Sequence, residues 1–308
     1  MFFYLFFIDN HLKYILNNCN MRDIVLLNCP EIECPKVLIY VFIELCQAFI
    51  ERNYNFKIIQ NINEITNNCV VFMGDTIKNP NIVSILNNIA PEAIYIGWYW
   101  HQINASALKY FIYTYENMLN PDNRVSFFKM KINNCPLLLR APENPELVGT
   151  YKKDILYDYC YMGWKYKPEF VPSKAHFKGI YHGVTEHNLF LHHSIRKELY
   201  LSSIFALGFQ SDKNINDKHV SQRIFEGLAY GCIVLSNSIP ACEQTNNIVI
   251  YINSKEDLEN KMQFFKANPE LIKQKQIEGY EFIKKYGTNH YAIDNFINCI
   301  KKTFDIEI

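Results

Sequence analysis

Short apolar runs rich in β-branched and aromatic side chains recur along the chain, and between them apolar positions return every three or four residues. In the first half the runs are residues 24–28, 56–60, 69–73, 93–97 and 110–113. Each has the length and composition of a strand buried on both faces. Residues 35–52 carry apolar side chains at helical spacing and open with Pro35, which a first helical turn tolerates, and residues 81–89 predict a second helix. This alternation is that of βα units around a parallel sheet, so residues 21 to about 130 are expected to form one Rossmann-like domain. The first eight residues, MFFYLFFI, are also apolar. They lack a basic n-region and a small-residue cleavage site, and are far short of the roughly 20 residues a membrane span needs. A first strand or an added N-terminal segment is expected there, with a poor signal anchor as the alternative.

The pattern stops at residues 140–149, RAPENPELVG, where two prolines, two acids and a glycine show neither period, as a linker does. Beyond it the alternation restarts. Strands are expected at 155–162, 177–182, 204–209, 233–236 and 248–251, and helices near Ile195 and across 220–230. Three more helices are expected to begin near Lys255, Pro269 and Asn289 and to run to the C-terminus. The predicted fold class is α/β: two Rossmann-like domains facing each other across a cleft, with a helical C-terminal end. The expected boundaries are 1–140 for the first domain, 141–154 for the linker and 155–308 for the second. No internal repeat of useful length is present.

Composition narrows the classes of function. With 49% hydrophobic and 20% charged residues the chain has ample material for proper cores and is no disordered segment. Its 31 basic and 31 acidic residues balance, and non-specific nucleic-acid binding or adhesion to anionic membranes needs a basic excess that is not visible. No nucleic-acid partner and no stable membrane insertion are therefore expected. The 10 cysteines include no C-x-x-C pair and no Cys/His run at zinc-ligand spacing. They read as buried thiols of a reducing compartment, which predicts a cytoplasmic location. The sequon at Asn104 is too common by chance to argue for secretion. Doublets of asparagine at Asn17, Asn67, Asn87, Asn133 and Asn246, with abundant Ile and Lys, suggest an AT-rich genome such as that of a large DNA virus or an AT-rich microbe.

Ligands of doubly wound sheets bind beyond the carboxyl ends of the strands, so the residues after each strand hold the candidate chemistry. The strand at 155–162 is followed by Gly163, Trp164 and Lys165. A glycine there lets backbone N–H groups approach a phosphate, with Lys165 adding charge; a plain turn glycine and a solvated lysine are the alternative. His182 ends the next strand, either to hydrogen-bond a ligand phosphate or hydroxyl or to cap neighbouring backbone. Neither the dinucleotide fingerprint nor the P-loop is present. The most informative stretch is 220–236, VSQRIFEGLAYGCIVLS. Ser221 is a plausible helix N-cap, Arg223 falls in the first turn, and Glu226 lies three residues on, on the same face. Gly231 ends the helix before a buried strand. A helix N-terminus with an arginine beside it suits a diphosphate, and a carboxylate further along suits the two hydroxyls of a ribose. A simple surface pair of Arg223 with Glu226 is the alternative.

The stretch RIFEGLAYGCIVLS resembles the signature helix and strand of GT-B glycosyltransferases. It is most similar to the CgeB-like group and the C-terminal domain of the "glycosyl transferases group 1" family. YCYMG at 159–163, KELYLSSIFALGF at 197–209 and IYINSKEDLENKMQFFKAN at 250–268 extend the likeness over about half the chain, residues 155–300. The resemblance implies a hexosyl- or pentosyltransferase that moves a sugar from a nucleotide-diphosphate sugar donor to a hydroxyl of a glycan, protein or small-molecule acceptor. It implies no cofactor and no metal, with the donor in the C-terminal domain and the acceptor against the N-terminal one. It also implies that Glu226 binds the ribose, that Arg223 sits against the diphosphate or sugar, and that Gly163 lines the phosphate side. One departure is Lys218, which stands where retaining families often carry a further glutamate; Asp217 and His219 flank it. No Asp-x-Asp pair of the metal-dependent transferase fold occurs.

Leaving-group charge would develop on the nucleoside diphosphate, and Arg223, Lys165 and the helix N-terminus at Ser221 are the groups placed to meet it. An inverting reaction would also need a general base from the first domain. Asp75, His101 and Glu116 follow expected strands, and His101 and Glu116 are taken as the catalytic candidates; helix capping, or packing of His101 beside Trp98 and Trp100, is the alternative. Trp98, Tyr99 and Trp100 offer faces on which an acceptor sugar can stack. The competing readings are a GT-B-shaped epimerase or phosphorylase, a catalytically inactive nucleotide- or glycan-binding protein of the same fold, and a dehydrogenase, which the missing glycine fingerprint disfavours.

Overall fold

The computed structural model describes residues 22–27, 32–33, 48–73, 76–77, 81–99, 110–113, 125–129, 154–163, 167–182, 189–216, 220–286 and 289–308. The chain divides into two compact units, one of Met1–Tyr113, Asn120–Phe128 and Ile293–Ile308, the other of Thr114–Leu119 and Lys129–Ala292. The N-terminal run at 1–8, residues 141–153 of the expected linker and residues 35–47 of the first expected helix lie outside the described residues.

The first unit is built on β1 (Asp23–Leu27), β2 (Ile32–Glu33), β3 (Phe56–Ile59), β4 (Cys69–Met73), β5 (Thr76–Ile77), α1 (Ile82–Ile89), β6 (Ile94–Tyr99), β7 (Tyr110–Tyr113) and β8 (Val125–Lys129). Six of the strands form one sheet in the order β3-β1-β4-β6-β7-β8, while β2 and β5 make a separate antiparallel pair. The pairs β1–β3, β1–β4, β4–β6 and β6–β7 are parallel. Ile24, Val25, Val70 and Val71 are wholly buried, as expected for strands covered on both faces. Phe49 stacks on Phe56 at 5.1 Å between ring centroids and leans on Phe72 at 5.9 Å, fixing the segment at 48–51 against the sheet. Tyr95 shares its hydroxyl proton between the carbonyls of Leu86 at 2.8 Å and Ala90 at 2.9 Å, adding to the backbone N–H that each already accepts and tying β6 to the end of α1.

The chain's last residues also belong to this unit, which shortens the second domain expected at 155–308. Ile293, Ile297 and Ile300 are buried, and Asp294 accepts from Arg52 Nε at 2.9 Å and from Tyr54 at 3.1 Å, with Arg52 Nη2 on its other oxygen. The backbone N–H of Arg22 donates to the carbonyl of Glu307 at 3.2 Å. Periodicity announces a helix here but carries no information about which sheet its apolar stripe will cover.

The second unit follows with β9 (Tyr157–Met162), β10 (Gly179–His182), α2 (Leu189–Leu201), β11 (Ser203–Leu207), α3 (Asp212–Asn216), α4 (Gln222–Ala229), β12 (Ile233–Ser236), α5 (Ile239–Gln244), β13 (Ile250–Tyr251), α6 (Lys255–Lys266), α7 (Pro269–Tyr286) and α8 (Asn289–Phe304), whose last part is the segment just described. The five strands form an all-parallel sheet in the order β10-β9-β11-β12-β13, so all their carboxyl ends lie along one edge. One face carries a core of Tyr159, Tyr161, Phe205, Leu207, Ile233 and Leu235 closed by Leu258, Met262 and Phe265 of α6. No helix among the described residues is long and apolar enough to cross a membrane.

Candidate functional site

Three strand ends and one helix start meet along the carboxyl edge of the second sheet. α4 is held there by small residues: a Cβ on Gly227 would stand 2.8 Å from Val234 Cγ2 and 2.9 Å from Ala206 Cβ, so only glycine lets the helix lie this close to β11 and β12. The helix ends as its sequence predicts. Gly231 adopts φ 69°, the N–H of Cys232 bonds the Gly227 carbonyl at 2.8 Å, and that of Gly231 bonds Leu228 at 3.0 Å. This is a Schellman closure that only a left-handed residue permits, and it turns the chain directly into β12.

At the other end Ser221 occupies the N-cap position in extended conformation, as expected, but its hydroxyl makes no bond to the helix backbone. It accepts instead from Gln210 Nε2 at 2.6 Å. Gln210 is buried after β11 and also accepts from Asn214 Nδ2 at 3.2 Å. Asn237, after β12, clasps the Gln210 backbone, accepting from its N–H at 2.8 Å and donating to its carbonyl at 3.1 Å. The loops following β11 and β12 are thereby tied to the start of α4.

Arg223, in the first turn of α4, reaches across the strand ends to β9. Its Nη1 donates to the Tyr161 hydroxyl at 2.8 Å and to the Phe209 carbonyl at 3.4 Å, and its Cζ lies 5.3 Å from the centre of the Tyr161 ring. The guanidinium lies directly against Gly163: a Cβ there would be 2.5 Å from Nη1 and 2.7 Å from Cζ and Nη2. Gly163 is thus required by the arginine that covers it, and a fixed cation stands where backbone, strand end and helix N-terminus converge.

Glu226 points elsewhere. Its carboxylate is 2% exposed, pairs with Arg196 Nη2 of α2, and accepts from the Tyr200 hydroxyl at 3.3 Å. The resemblance implies a ribose contact for this residue, whereas the structure gives it protein partners inside the fold. Burial pushes the Tyr200 phenol far above its ordinary range, so this hydroxyl remains a donor. Arg196 Nε is buried with no hydrogen-bond partner among the described residues.

Among the other expected site residues, His182 ends β10 in register with Met162, which puts it on the same sheet edge. Lys165, His101, Glu116, Asp75, Lys218, Asp217 and His219 lie outside the described residues. The structure therefore brings Gly163, Ser221 and Arg223 together on one edge and turns Glu226 inward. Sequence reasoning missed Tyr161, Gln210, Asn237 and Arg196. Gln210 and Asn237 follow strands and were open to the same rule that found Gly163; Tyr161 lies inside an unbroken apolar strand and Arg196 on a helix face, where nothing in the sequence distinguishes them. Among the described residues no group of three or more His, Cys, Asp or Glu is gathered as a metal site would need.

Residues 146–298 match the model of the family described as glycosyl transferase-like. A solved alpha-glucosyltransferase in complex with UDP and a 13-mer DNA containing a central A:G mismatch is similar over 92% of this chain and 99% of its own, with 12% sequence identity and a TM-score of 0.59. That likeness shows a shared fold, the GT-B class expected from the sequence. A conserved domain protein from Vibrio cholerae O1 biovar eltor matches at 11% identity over 81% of this chain and 85% of its own, and its TM-score of 0.21 carries no argument. No curated protein matches the chain.

Proposed function

We propose a specific reaction for this chain, which belongs through residues 146–298 to the glycosyl transferase-like family and is a glycosyltransferase of GT-B fold. It takes a hexosyl or pentosyl group from a nucleotide-diphosphate sugar held at the carboxyl edge of the second unit's sheet. The group goes to a hydroxyl of a glycan, protein or small-molecule acceptor. The observation that carries this reading is the Arg223 guanidinium fixed over Gly163 at the start of α4. Nη1 is anchored to protein oxygens while the side chain is only part-buried, so the cation is held in place and still within reach of a diphosphate. When the glycosidic bond breaks, negative charge grows on the leaving diphosphate, and a cation already held in place stabilises it without reorganisation. The positive end of the α4 dipole acts in the same sense, and the Ser221 hydroxyl, which accepts from Gln210, does not cap it.

In this reading Lys165 adds a second cation and His182 a contact on the same edge, and the leaving group is stabilised without a divalent ion. His101 or Glu116 takes the acceptor proton. Glu226 contributes to the ribose side of the donor site, directly or by fixing α4 through Arg196. A formal net charge of zero supports an acceptor other than nucleic acid, although the similar solved enzyme is in complex with DNA, and the buried thiols of Cys69, Cys160, Cys232 and Cys242 support work in the cytoplasm.

A thermal-shift panel of UDP, GDP, ADP, CMP and dTDP on the wild type and Arg223→Ala tests the reading. One nucleotide at 100 times its Kd should stabilise the wild type by about 2.7 kcal/mol through mass action, and Arg223→Ala should lose most of that gain. Equal shifts in the two proteins, or none in the wild type, would overturn it.

A further inference from the structure

We infer that Tyr161 is a positioning residue of the donor site, whose hydroxyl and ring hold the Arg223 guanidinium in the place where a nucleoside diphosphate meets it. This deepens the proposed function and rests on it. A long arginine at a helix start has many rotamers, and ordering it costs on the order of 2 kcal/mol of side-chain entropy each time it engages a ligand. In this protein that ordering is already done. Tyr161 presents an oxygen at 2.8 Å to Nη1, and its ring lies 5.3 Å from Cζ, so one residue fixes the guanidinium at an edge and beneath its face.

The tyrosine is itself immobile. It is 1% exposed in the centre of β9's buried run, stacks on Tyr181 at 5.5 Å with 11° between planes, and meets Phe209 at 5.6 Å. Tyr181 is in turn pinned, donating its hydroxyl to the Gly163 carbonyl at 2.9 Å. Tyr161 and Gly163 thus both stand against the guanidinium, and Tyr181 ties the two together. The missing side chain at Gly163 is part of the device, because a Cβ would stand 2.5 Å from Nη1. A tyrosine buried for packing alone has no need of a cation on its hydroxyl; phenylalanine would fill the same volume.

The experiment uses the full chain and whichever of UDP, GDP, ADP, CMP and dTDP gives the largest thermal shift. The Kd of that nucleotide and of its parent nucleoside is then measured by calorimetry for wild type, Tyr161→Phe, Arg223→Ala and the double variant. Tyr161→Phe should raise the nucleotide Kd about tenfold, as loss of a hydrogen bond to a charged group does, while leaving the nucleoside Kd unchanged. In the Arg223→Ala background the same substitution should have no further effect. Gly163→Ala, whose Cβ would displace the guanidinium while the Tyr161 hydroxyl is retained, should give the same split and serves if Tyr161→Phe folds poorly.

A nucleotide Kd within twofold of wild type in Tyr161→Phe, with Arg223→Ala weakened, would overturn the positioning role and leave the proposed function standing. Equal weakening of nucleotide and nucleoside would reduce Tyr161 to a packing residue. No loss in Arg223→Ala, or no nucleotide bound by the wild type, would remove both readings.

Discussion

Replacing Arg196 by methionine isolates the energetics of a buried charge pair in the second unit. The side chain is 11% exposed and its partner Glu226 is 2% exposed, so the substitution leaves a carboxylate in an interior that cannot solvate it. Tyr200 still offers its hydroxyl at 3.3 Å, but one neutral donor does not replace a guanidinium. Losing one partner of a buried pair costs about 3–5 kcal/mol, a large share of the roughly 5–15 kcal/mol that holds a domain together. For a domain of this size that corresponds to a fall in Tm of about 6–20 °C. The pair itself is not an efficient source of stability, since Arg196 Nε has no partner among the described residues and both charges are desolvated. Adding Glu226→Gln should therefore recover much of the loss: the amide oxygen still accepts from Tyr200, and no charge is stranded. Calorimetric melting of the wild type, both single variants and the double variant measures the coupling, expected to be at least about 2 kcal/mol. A fall in Tm below about 2 °C for Arg196→Met, or losses that simply add in the double variant, would refute the idea that α2 and α4 are locked by this pair.

Two further outcomes are expected from residues outside the charge pair. Gly227→Ala should lose about 1 kcal/mol in urea unfolding, because overpacking against Val234 and Ala206 costs about 1–3 kcal/mol while the better helix propensity of alanine returns about 1 kcal/mol; a gain in stability would show that α4 has room to move. Tyr95→Phe should cost about 1 kcal/mol at neutral pH, since the hydroxyl's bonds to the Leu86 and Ala90 carbonyls are lost while their backbone donors remain, and it should also change the alkaline limb. Burial pushes the Tyr95 phenol up to about 12 from an ordinary 10, so the wild type keeps this contribution in full below pH 10 and loses it as pH rises towards 12, where the unfolded chain releases the proton first. The variant's urea midpoint should fall less steeply between pH 10 and 12; parallel curves would refute the assignment.

Features fixed by neighbours in sequence are legible in this chain, and features fixed by distant partners are not. Strands 69–73, 110–113 and 233–236 agree with the observed strands to the residue because a buried parallel strand needs only an unbroken apolar run, which is a property of neighbours in sequence. The end of α4 was equally legible, since a left-handed glycine acts within one turn; Ser221 does stand at the N-cap position, but its hydroxyl accepts from Gln210 and caps nothing. The edge on which Gly163, Ser221 and Arg223 meet was legible too, because parallel βα units place every strand's carboxyl end together.

What the sequence left open are the interactions whose partners lie far apart along the chain. Arg223 and Glu226, one turn apart, share a face by spacing, yet Arg223 reaches 62 residues back to Tyr161 while Glu226 reaches Tyr200 and Arg196 inside the fold. Side-chain length allows either residue several partners, and only the packing of α2 and β9 against α4 selects among them. The same holds for the last helix, whose apolar stripe was evident but whose docking on the first unit depends on Arg52 and Tyr54, some 240 residues earlier. Local periodicity thus determined the elements and their order, and tertiary packing decided which charges are buried as a pair and which one is held at the sheet edge.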